Sequence, residues 1–266
     1  MFPRLTPAVR SILIINVVVF LLASFLSLDE ALTNFAALAP LSSNDFFPSQ
    51  FLTYMFLHGS FRHLFGNMLM LFFFGSWVEQ VWGPQRFIIF YLICGLGAGV
   101  LYASINYVEY QGMRQEYETV RNHPTPSGIL GFIGEYGDPR DGQGYQILNE
   151  YDQYPEDPVA ENNAIRLMDS WFVARKNYGR MLGASGAVFG VLLALGMLFP
   201  NHTVMLIIPP IPVKIKYLVG FLGVAEYFAI LRATPGDNVA HNAHLAGMLI
   251  AFLLIRFGSF RGNNSR

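Results

Sequence analysis

Charged residues and cysteine are scarce in this sequence, and each shortage excludes a class of protein. Aspartate, glutamate, lysine and arginine together form 13% of the 266 residues, about half the share that is usual for a soluble domain. The single cysteine, Cys94, excludes a disulfide framework and is predicted to be a buried structural thiol. The net charge of −1 says nothing about nucleic acid, and the nucleic-acid partner that we do not expect is excluded on other grounds, the apolar composition of a membrane protein.

The chain is rich in apolar residues, which form long runs. Hydrophobic residues form 53% of the chain and aromatic residues 15%. A helix needs about 20 apolar residues to cross a bilayer core of roughly 30 Å, and six stretches approach that length. We therefore predict an all-α polytopic membrane protein. The six predicted spans lie near residues 9–27, 61–82, 87–107, 181–199, 213–231 and 238–256.

The orientation of the chain is predicted from its basic residues. The first apolar run is too long for the core of a signal peptide, so we expect a retained span. The side of a membrane that carries more lysine and arginine is cytoplasmic, and both termini are expected there, in a multi-pass protein of the cell (inner) membrane. The basic residues expected on that side are Arg4, Arg10, Arg86, Lys214, Lys216, Arg256, Arg261 and Arg266. Three arginines do not follow this rule, because they are expected at the outer ends of spans, where snorkelling accommodates them: Arg62, Arg180 and Arg232.

The apolar parts of the chain differ in their loops. Residues 1–107 hold the first three spans and a loop at 28–60, which is apolar and aromatic but broken by prolines. We expect that loop to lie in the membrane interface. Residues 179–266 hold the last three spans, and a proline-rich segment at 200–212 is predicted to be a rigid, extended cytoplasmic connector.

Residues 108–178 have a different composition from the rest of the chain. They hold 12 of the 18 acidic residues and five prolines. We predict an extracytoplasmic insertion that ends in an amphipathic helix near residues 160–176. Long loops cross a membrane largely regardless of their charge, so this segment does not alter the predicted orientation. The simplest interpretation is a solvated appendage without chemistry.

Polar residues inside the spans are few, and each needs a partner or a function. An unsatisfied polar group in an apolar environment costs roughly 1–3 kcal/mol. Ser185 follows a glycine and an alanine at the start of the fourth span, and His244 lies in the sixth. His63 and Asn67 are four residues apart in the second span and share a helix face. Taken singly, each is more often a packing or hydrogen-bonding residue, but together they predict one buried reaction centre.

Small residues predict that the fourth and sixth spans touch, because such residues let membrane helices approach closely. The two stripes are Gly186, Ala187, Gly190 and Ala194, and Ala240, His244, Gly247 and Ala251. At 100° per residue, Ser185 would point away from the stripe if the helix already existed before it. We therefore expect the helix to begin at the serine, with Gly183 and Ala184 in an irregular turn. A helix start also offers free N–H groups to an oxyanion.

The chemistry predicted from these groups is nucleophilic catalysis. Ser185 attacks a carbonyl, and His244 accepts its proton and later protonates the leaving amine. His63, Asn67 and the backbone N–H of Ser185 are expected to stabilise the tetrahedral oxyanion.

The predicted catalytic group is a Ser-His dyad without a carboxylate. Asp237 and Glu79 lie at span ends, and Glu226 lies on the fifth span, so we expect no acidic residue near His244. Burial disfavours a charged imidazole and therefore favours the neutral base that such a dyad needs.

Three ordered motifs resemble those of the rhomboid family of intramembrane serine proteases. They are His58-x4-His63-x3-Asn67, Gly183-x-Ser185-Gly186 and Ala243-His244-x2-Gly247-x3-Ala251. The resemblance covers all six spans and leaves out only residues 108–178. It implies a six-transmembrane-helix rhomboid bundle without cofactor or metal, whose substrates are transmembrane segments of other proteins.

The resemblance also implies roles for individual residues. Ser185 is the nucleophile and His244 the base, with His63 and Asn67 as oxyanion ligands, while His241 falls outside the motif. The residues expected to support the site are His58, Gly183, Gly186, Phe189 and Gly247. Many relatives have tyrosine at the position of Phe189, and a phenyl ring can still stack on His244. The long insertion leaves substrate gating or partner docking open.

Two other functions stay open at this point. A catalytically silent rhomboid relative would bind membrane helices without cleaving them, although retention of both Ser185 and His244 argues against it. A transporter would use the polar groups as an ion path near the bilayer midplane. The outer placement of these groups and the absence of an inverted repeat count against a transporter.

Overall fold

The fold is described from a computed structural model, for residues 4–137, 141–176, 179–205, 210–232 and 239–260. Within these ranges the structure is mostly helical. The helices are α1 (Pro7–Phe25), α2 (Asp29–Ala36), α3 (Gln50–Thr53), α4 (Phe61–Met70), α5 (Ser76–Trp82), α6 (Pro84–Asn122), α7 (Pro126–Tyr136), α8 (Gly142–Gln153), α9 (Pro158–Lys176), α10 (Ser185–Leu198), α11 (Ile215–Arg232) and α12 (His241–Arg256). A 3-10 turn at Tyr54–Phe56 follows α3, and a π-helical turn at Leu71–Gly75 joins α4 to α5.

The prediction of an all-α polytopic membrane protein is confirmed. Three helical segments among the described residues are long and apolar enough to cross a membrane: Pro7–Phe25, Phe61–Trp82 and Pro84–Asn122. The helices α10 and α12 are apolar but shorter, with 14 and 16 residues. Both begin later than the predicted spans because the first residues of each span form the approach to the helix, which in α10 is a turn at Gly183.

Contacts divide the chain into two compact units. The first comprises residues 1–38, 47–102 and 181–266, and the second comprises residues 39–46 and 103–180. Every residue predicted to form the reaction centre belongs to the first unit.

The second unit has a hydrophobic core of its own. Ile129, Phe132 and Met168 are fully buried, and the rings of Tyr117 and Phe172 stack 3.9 Å apart. Apolar side chains at helical spacing on α7, α8 and α9 build this core. The acidic segment is therefore a folded helical unit.

The first unit is packed around α10. Its residues are buried almost without interruption from Gly186 to Leu195, as a membrane helix surrounded by other helices requires. Cys94 of α6 is fully buried against Gly190, which confirms the prediction of a buried thiol.

Glu79 of α5 caps the start of α1. Its carboxylate accepts hydrogen bonds from the backbone N–H groups of Ala8 at 2.9 Å and Val9 at 2.8 Å, and from the hydroxyl of Thr6 at 2.5 Å. The first N–H groups of a helix lack intrahelical partners and carry partial positive charge, so a buried carboxylate is stabilised there. Glu79 is thus fully engaged in structure.

The connector between α10 and α11 contains a two-stranded antiparallel ribbon. Strand β1 (Thr203–Met205) pairs with β2 (Pro212–Lys214), with Val204 opposite Val213. The predicted extended connector is therefore paired at its two ends, and residues 206–209 between them lie outside the described residues. Part of the predicted orientation depends on residues that also lie outside the described ones: 233–237, Arg261 and Arg266.

Candidate active site

Ser185 is the first residue of α10, as the sequence predicts. Gly183 has φ of +122°, a conformation that favours glycine, and Ala184 is the cap that precedes the helix. The N–H of Gly183 donates to the carbonyl of Tyr54 at 2.9 Å, which fixes the turn. The serine therefore stands at a helix start, where unpaired N–H groups are exposed.

His63 of α4 lies directly against this turn. A Cβ atom placed on Gly183 would come within 2.6 Å of His63 Cε1 and 2.7 Å of Nε2. Only glycine leaves space for the imidazole at this position, so the ring and the serine turn are in contact.

The helices α10 and α12 approach to backbone contact, which confirms the predicted pairing of small-residue stripes. A Cβ on Gly247 would lie 1.9 Å from the carbonyl oxygen of Gly186. A Cβ on Gly186 would lie 3.3 Å from the carbonyl oxygen of Ala243, the residue before His244. The first turns of the two helices therefore adjoin, and Ser185 and His244 are each next to a residue of this contact.

The ring of His244 is stacked on Phe189. The ring centroids are 4.2 Å apart and the planes differ by 6°, so the expected stacking is confirmed. The side chain of His244 is 9% exposed. Among the described residues, no hydrogen bond joins the Ser185 hydroxyl to His244. The proton transfer between them stays a prediction.

The expectation of no acidic residue near His244 is wrong. Glu226 Oε2 of α11 lies 2.8 Å from His244 Nδ1 and 2.5 Å from His241 Nδ1. Helix α11 packs against α12, which follows it in the chain. Glu226 precedes the end of α11 by six residues and His244 follows the start of α12 by three. Both residues therefore lie near the connection between the two helices, and this proximity along the chain is the part of the contact that the sequence shows.

The same three side chains are a donor set for a metal ion. One ligand atom from each of Glu226, His241 and His244 lies within 4.8 Å of the other two. Imidazole nitrogen with carboxylate oxygen is a typical combination for zinc. Because both Nδ1 atoms lie at hydrogen-bonding distance from one oxygen, the arrangement is also complete as a hydrogen-bonded network. The expected absence of a metal stays a prediction.

His58 and Asn67 form a buried pair beside His63. Asn67 Nδ2 lies 3.1 Å from His58 Nε2, and the rings of His58 and His63 meet edge to face at 5.0 Å. Burial lowers the pKa of His58 to about 3, so its ring is neutral at physiological pH and accepts the amide N–H. The hydroxyl of Ser60 accepts from the N–H of His63 at 3.2 Å and caps α4. His58 thereby orients Asn67, whose role toward an oxyanion stays a prediction.

The comparisons with known proteins agree with the three sequence motifs. The Rhomboid domain family model matches residues 48–114 and 164–259, ranges that contain every predicted site residue from His58 to Gly247. No curated protein shows a significant match to the chain.

Proposed function

Because this chain belongs to the rhomboid family, we propose that it is an intramembrane serine endopeptidase that cleaves transmembrane segments of other membrane proteins. The observation that supports this most strongly is the start of α10 at Ser185, on the helix whose Phe189 stacks on His244. A nucleophile at a helix start, beside a fixed imidazole, is suited to acyl transfer.

In the proposed reaction, Ser185 Oγ forms a bond to the carbonyl carbon of the scissile peptide while its proton passes to His244 Nε2. The tetrahedral oxyanion is stabilised by the N–H groups at the start of α10 and by His63 and Asn67. His244 then gives its proton to the leaving nitrogen, and the C–N bond breaks to leave an acyl-enzyme. A water molecule attacks the ester, His244 again takes and returns a proton, and Ser185 is regenerated.

The proposed substrates are transmembrane segments that unwind easily. In a regular helix each peptide carbonyl accepts a hydrogen bond, so the chain must open locally before it can be attacked. Glycine, proline and polar residues weaken such a helix. We propose single-span and other transmembrane proteins with these residues near the outer end of the span, and a small residue before the scissile bond.

The proposed location is the cell membrane, with both termini in the cytoplasm. Residues 108–178 then form an extracytoplasmic unit. Basic residues at the span ends support this orientation.

The function is tested by incubating the purified full chain in detergent with a generic single-span substrate. Cleavage by the unmodified protein, and its loss in Ser185→Ala and His244→Ala, is the expected result. Ser127→Ala and His123→Ala are matched controls, because both side chains are exposed in the second unit. Cleavage that survives the first two changes would reject the proposed nucleophile and base. A folded, unmodified protein that binds the substrate but never cuts it would favour a silent relative.

A further inference from the structure

We infer that Glu226 is a positioning residue for His244 and completes a Ser185–His244–Glu226 triad. This inference rests on the proposed protease function and extends it to α11, which the motif analysis leaves without a part in catalysis. The direct observation is the 2.8 Å separation of Glu226 Oε2 and His244 Nδ1.

The hydrogen bond determines which nitrogen of His244 acts as the base. A carboxylate accepts but does not donate, so Nδ1 carries the proton and Nε2 keeps its lone pair. Phe189 fixes the plane of the His244 ring by stacking on it, with ring centroids 4.2 Å apart. The hydrogen bond to Glu226 fixes the rotation of the His244 ring within that plane. The two contacts together aim Nε2 in one direction, away from α11.

The carboxylate also provides a counter-charge. When His244 takes the proton of Ser185 it becomes a cation, which is unfavourable at a site that is 9% exposed. Glu226, itself 15% exposed, places negative charge next to that cation. His241 Nδ1 lies 2.5 Å from the same oxygen, and a second N–H donor favours the ionised form of the carboxyl group.

The neighbours of His244 define what else can influence its charge. Phe189 of α10 is apolar, and Glu226 comes from α11. His241 lies on the same helix as His244, with ring centroids 6.1 Å apart, and His63 of α4 lies against the turn before Ser185. Among the described residues in these contacts, Glu226 is the acidic one, so its removal changes the charge balance of the site in one direction.

The experiment compares Glu226→Gln, Glu226→Asp and Glu226→Leu in the full chain, with Glu109→Gln as a control at an exposed position. Turnover of a single-span substrate is measured as kcat and KM across pH. We expect kcat to fall about 100-fold in the leucine variant, at the lower end of the contribution of positioned acid–base groups, with KM unchanged. In Glu226→Gln the side chain keeps a hydrogen-bond acceptor but loses the charge, so kcat should fall less than in the leucine variant. Glu226→Asp should keep the largest part of the activity.

The pH profile separates positioning from a structural role. Without the carboxylate, the imidazolium loses its counter-charge, so the acidic limb of kcat/KM should move to lower pH in Glu226→Gln. A variant that merely unfolds in part would lose activity equally at every pH. A leucine variant with unchanged kcat and an unshifted pH profile would overturn the inference. If the leucine variant does not fold, the same result in Glu226→Gln would overturn it.

Two further controls distinguish the remaining outcomes. Activity that survives a metal chelator supports the hydrogen-bonded triad, whereas activity that disappears and returns with added zinc would assign Glu226 to a metal site and overturn the inference. A folded, unmodified protein that neither cleaves nor reacts with a fluorophosphonate would reject the proposed protease function itself. Normal cleavage by both the unmodified protein and the Glu226 variants would reject the positioning role alone.

Discussion

Phe189 and His244 lie face to face, with ring centroids 4.2 Å apart and planes 6° from parallel. Phe189 is one helical turn after Ser185, so the helix that begins at the serine also holds the imidazole. At this position the chain has a flat ring without a hydroxyl.

The stacking predicts the behaviour of substitutions at Phe189. Phe189→Leu should lower kcat about two- to tenfold with little change in KM, because a stacked ring pair contributes about 0.5–1.5 kcal/mol beyond its burial. Phe189→Tyr should stay near the unmodified rate. Steady-state kinetics on a single-span substrate measures both. A leucine variant that equals the tyrosine variant would show that the ring does not orient His244.

The contact of α10 with α12 predicts strong intolerance at Gly247. A Cβ there would lie 1.9 Å from a backbone oxygen of Gly186, so the helices must separate. Gly247→Ala should destabilise the protein by about 3 kcal/mol, the upper end of the usual cost of overpacking, and abolish cleavage. Gly220→Ala is the matched control, since a Cβ at Gly220 of α11 meets nothing within 4 Å. Thermal unfolding in detergent measures the difference, and equal midpoints would contradict the helix contact.

The turn before Ser185 predicts that Gly183→Ala impairs catalysis more than folding. Alanine is strained at φ of +122°. Its Cβ would lie 2.6 Å from His63 Cε1, so the imidazole ring would have to move. We expect at least a 100-fold loss of kcat/KM with a smaller decrease in unfolding temperature than Gly247→Ala causes. Gly66→Ala is the control on α4, because a Cβ there meets nothing within 4 Å. Full activity in Gly183→Ala would exclude a role for this turn.

The shared carboxylate predicts unequal effects at the two imidazoles of α12. His241→Ala leaves Glu226 free to bind His244 alone and should reduce kcat by less than about tenfold. His244→Ala removes the base and should reduce it by at least about 100-fold. If the order of the two effects is reversed, His241 is the base.

The buried neutral His58 predicts a pH-dependent stability. Burial lowers its pKa in the folded protein to about 3, whereas the unfolded chain has the ordinary value of 6.5. Between these values the unfolded state binds more protons, so stability is full above pH 6.5 and falls as the pH decreases toward 3. The unfolding midpoint in detergent should therefore decrease from pH 7 to pH 4, and the decrease should be smaller in His58→Gln. An identical slope in both proteins would show that His58 is not buried in its neutral form.

Local features of the site were predictable from sequence because they depend on spacing along one helix or between two stripes. The start of α10 follows from the glycines around Ser185 and the rotation of 100° per residue. The contact of Gly186 with Gly247 follows from the absence of side chains on matching faces. The position of Phe189 follows from its distance to Ser185.

The contact of Glu226 with His244 was not predicted because a single acidic residue on α11 forms no periodic pattern in the sequence. Its contact with His244 depends on how far α11 is rotated about its axis, which no local spacing determines. The folded second unit was missed for a different reason. Its many acidic residues lower the average hydropathy, and they conceal an apolar face formed by Ile129, Phe132 and Met168.

Whether His244 activates Ser185 is measured most directly by fluorophosphonate labelling of the full chain in detergent, followed by mass spectrometry of the modified peptide. We predict a single phosphonate on Ser185, and its loss in His244→Ala while that variant still unfolds in one cooperative thermal transition. Labelling at another residue, or equal labelling of Ser185 without His244, would contradict the proposed catalytic pair.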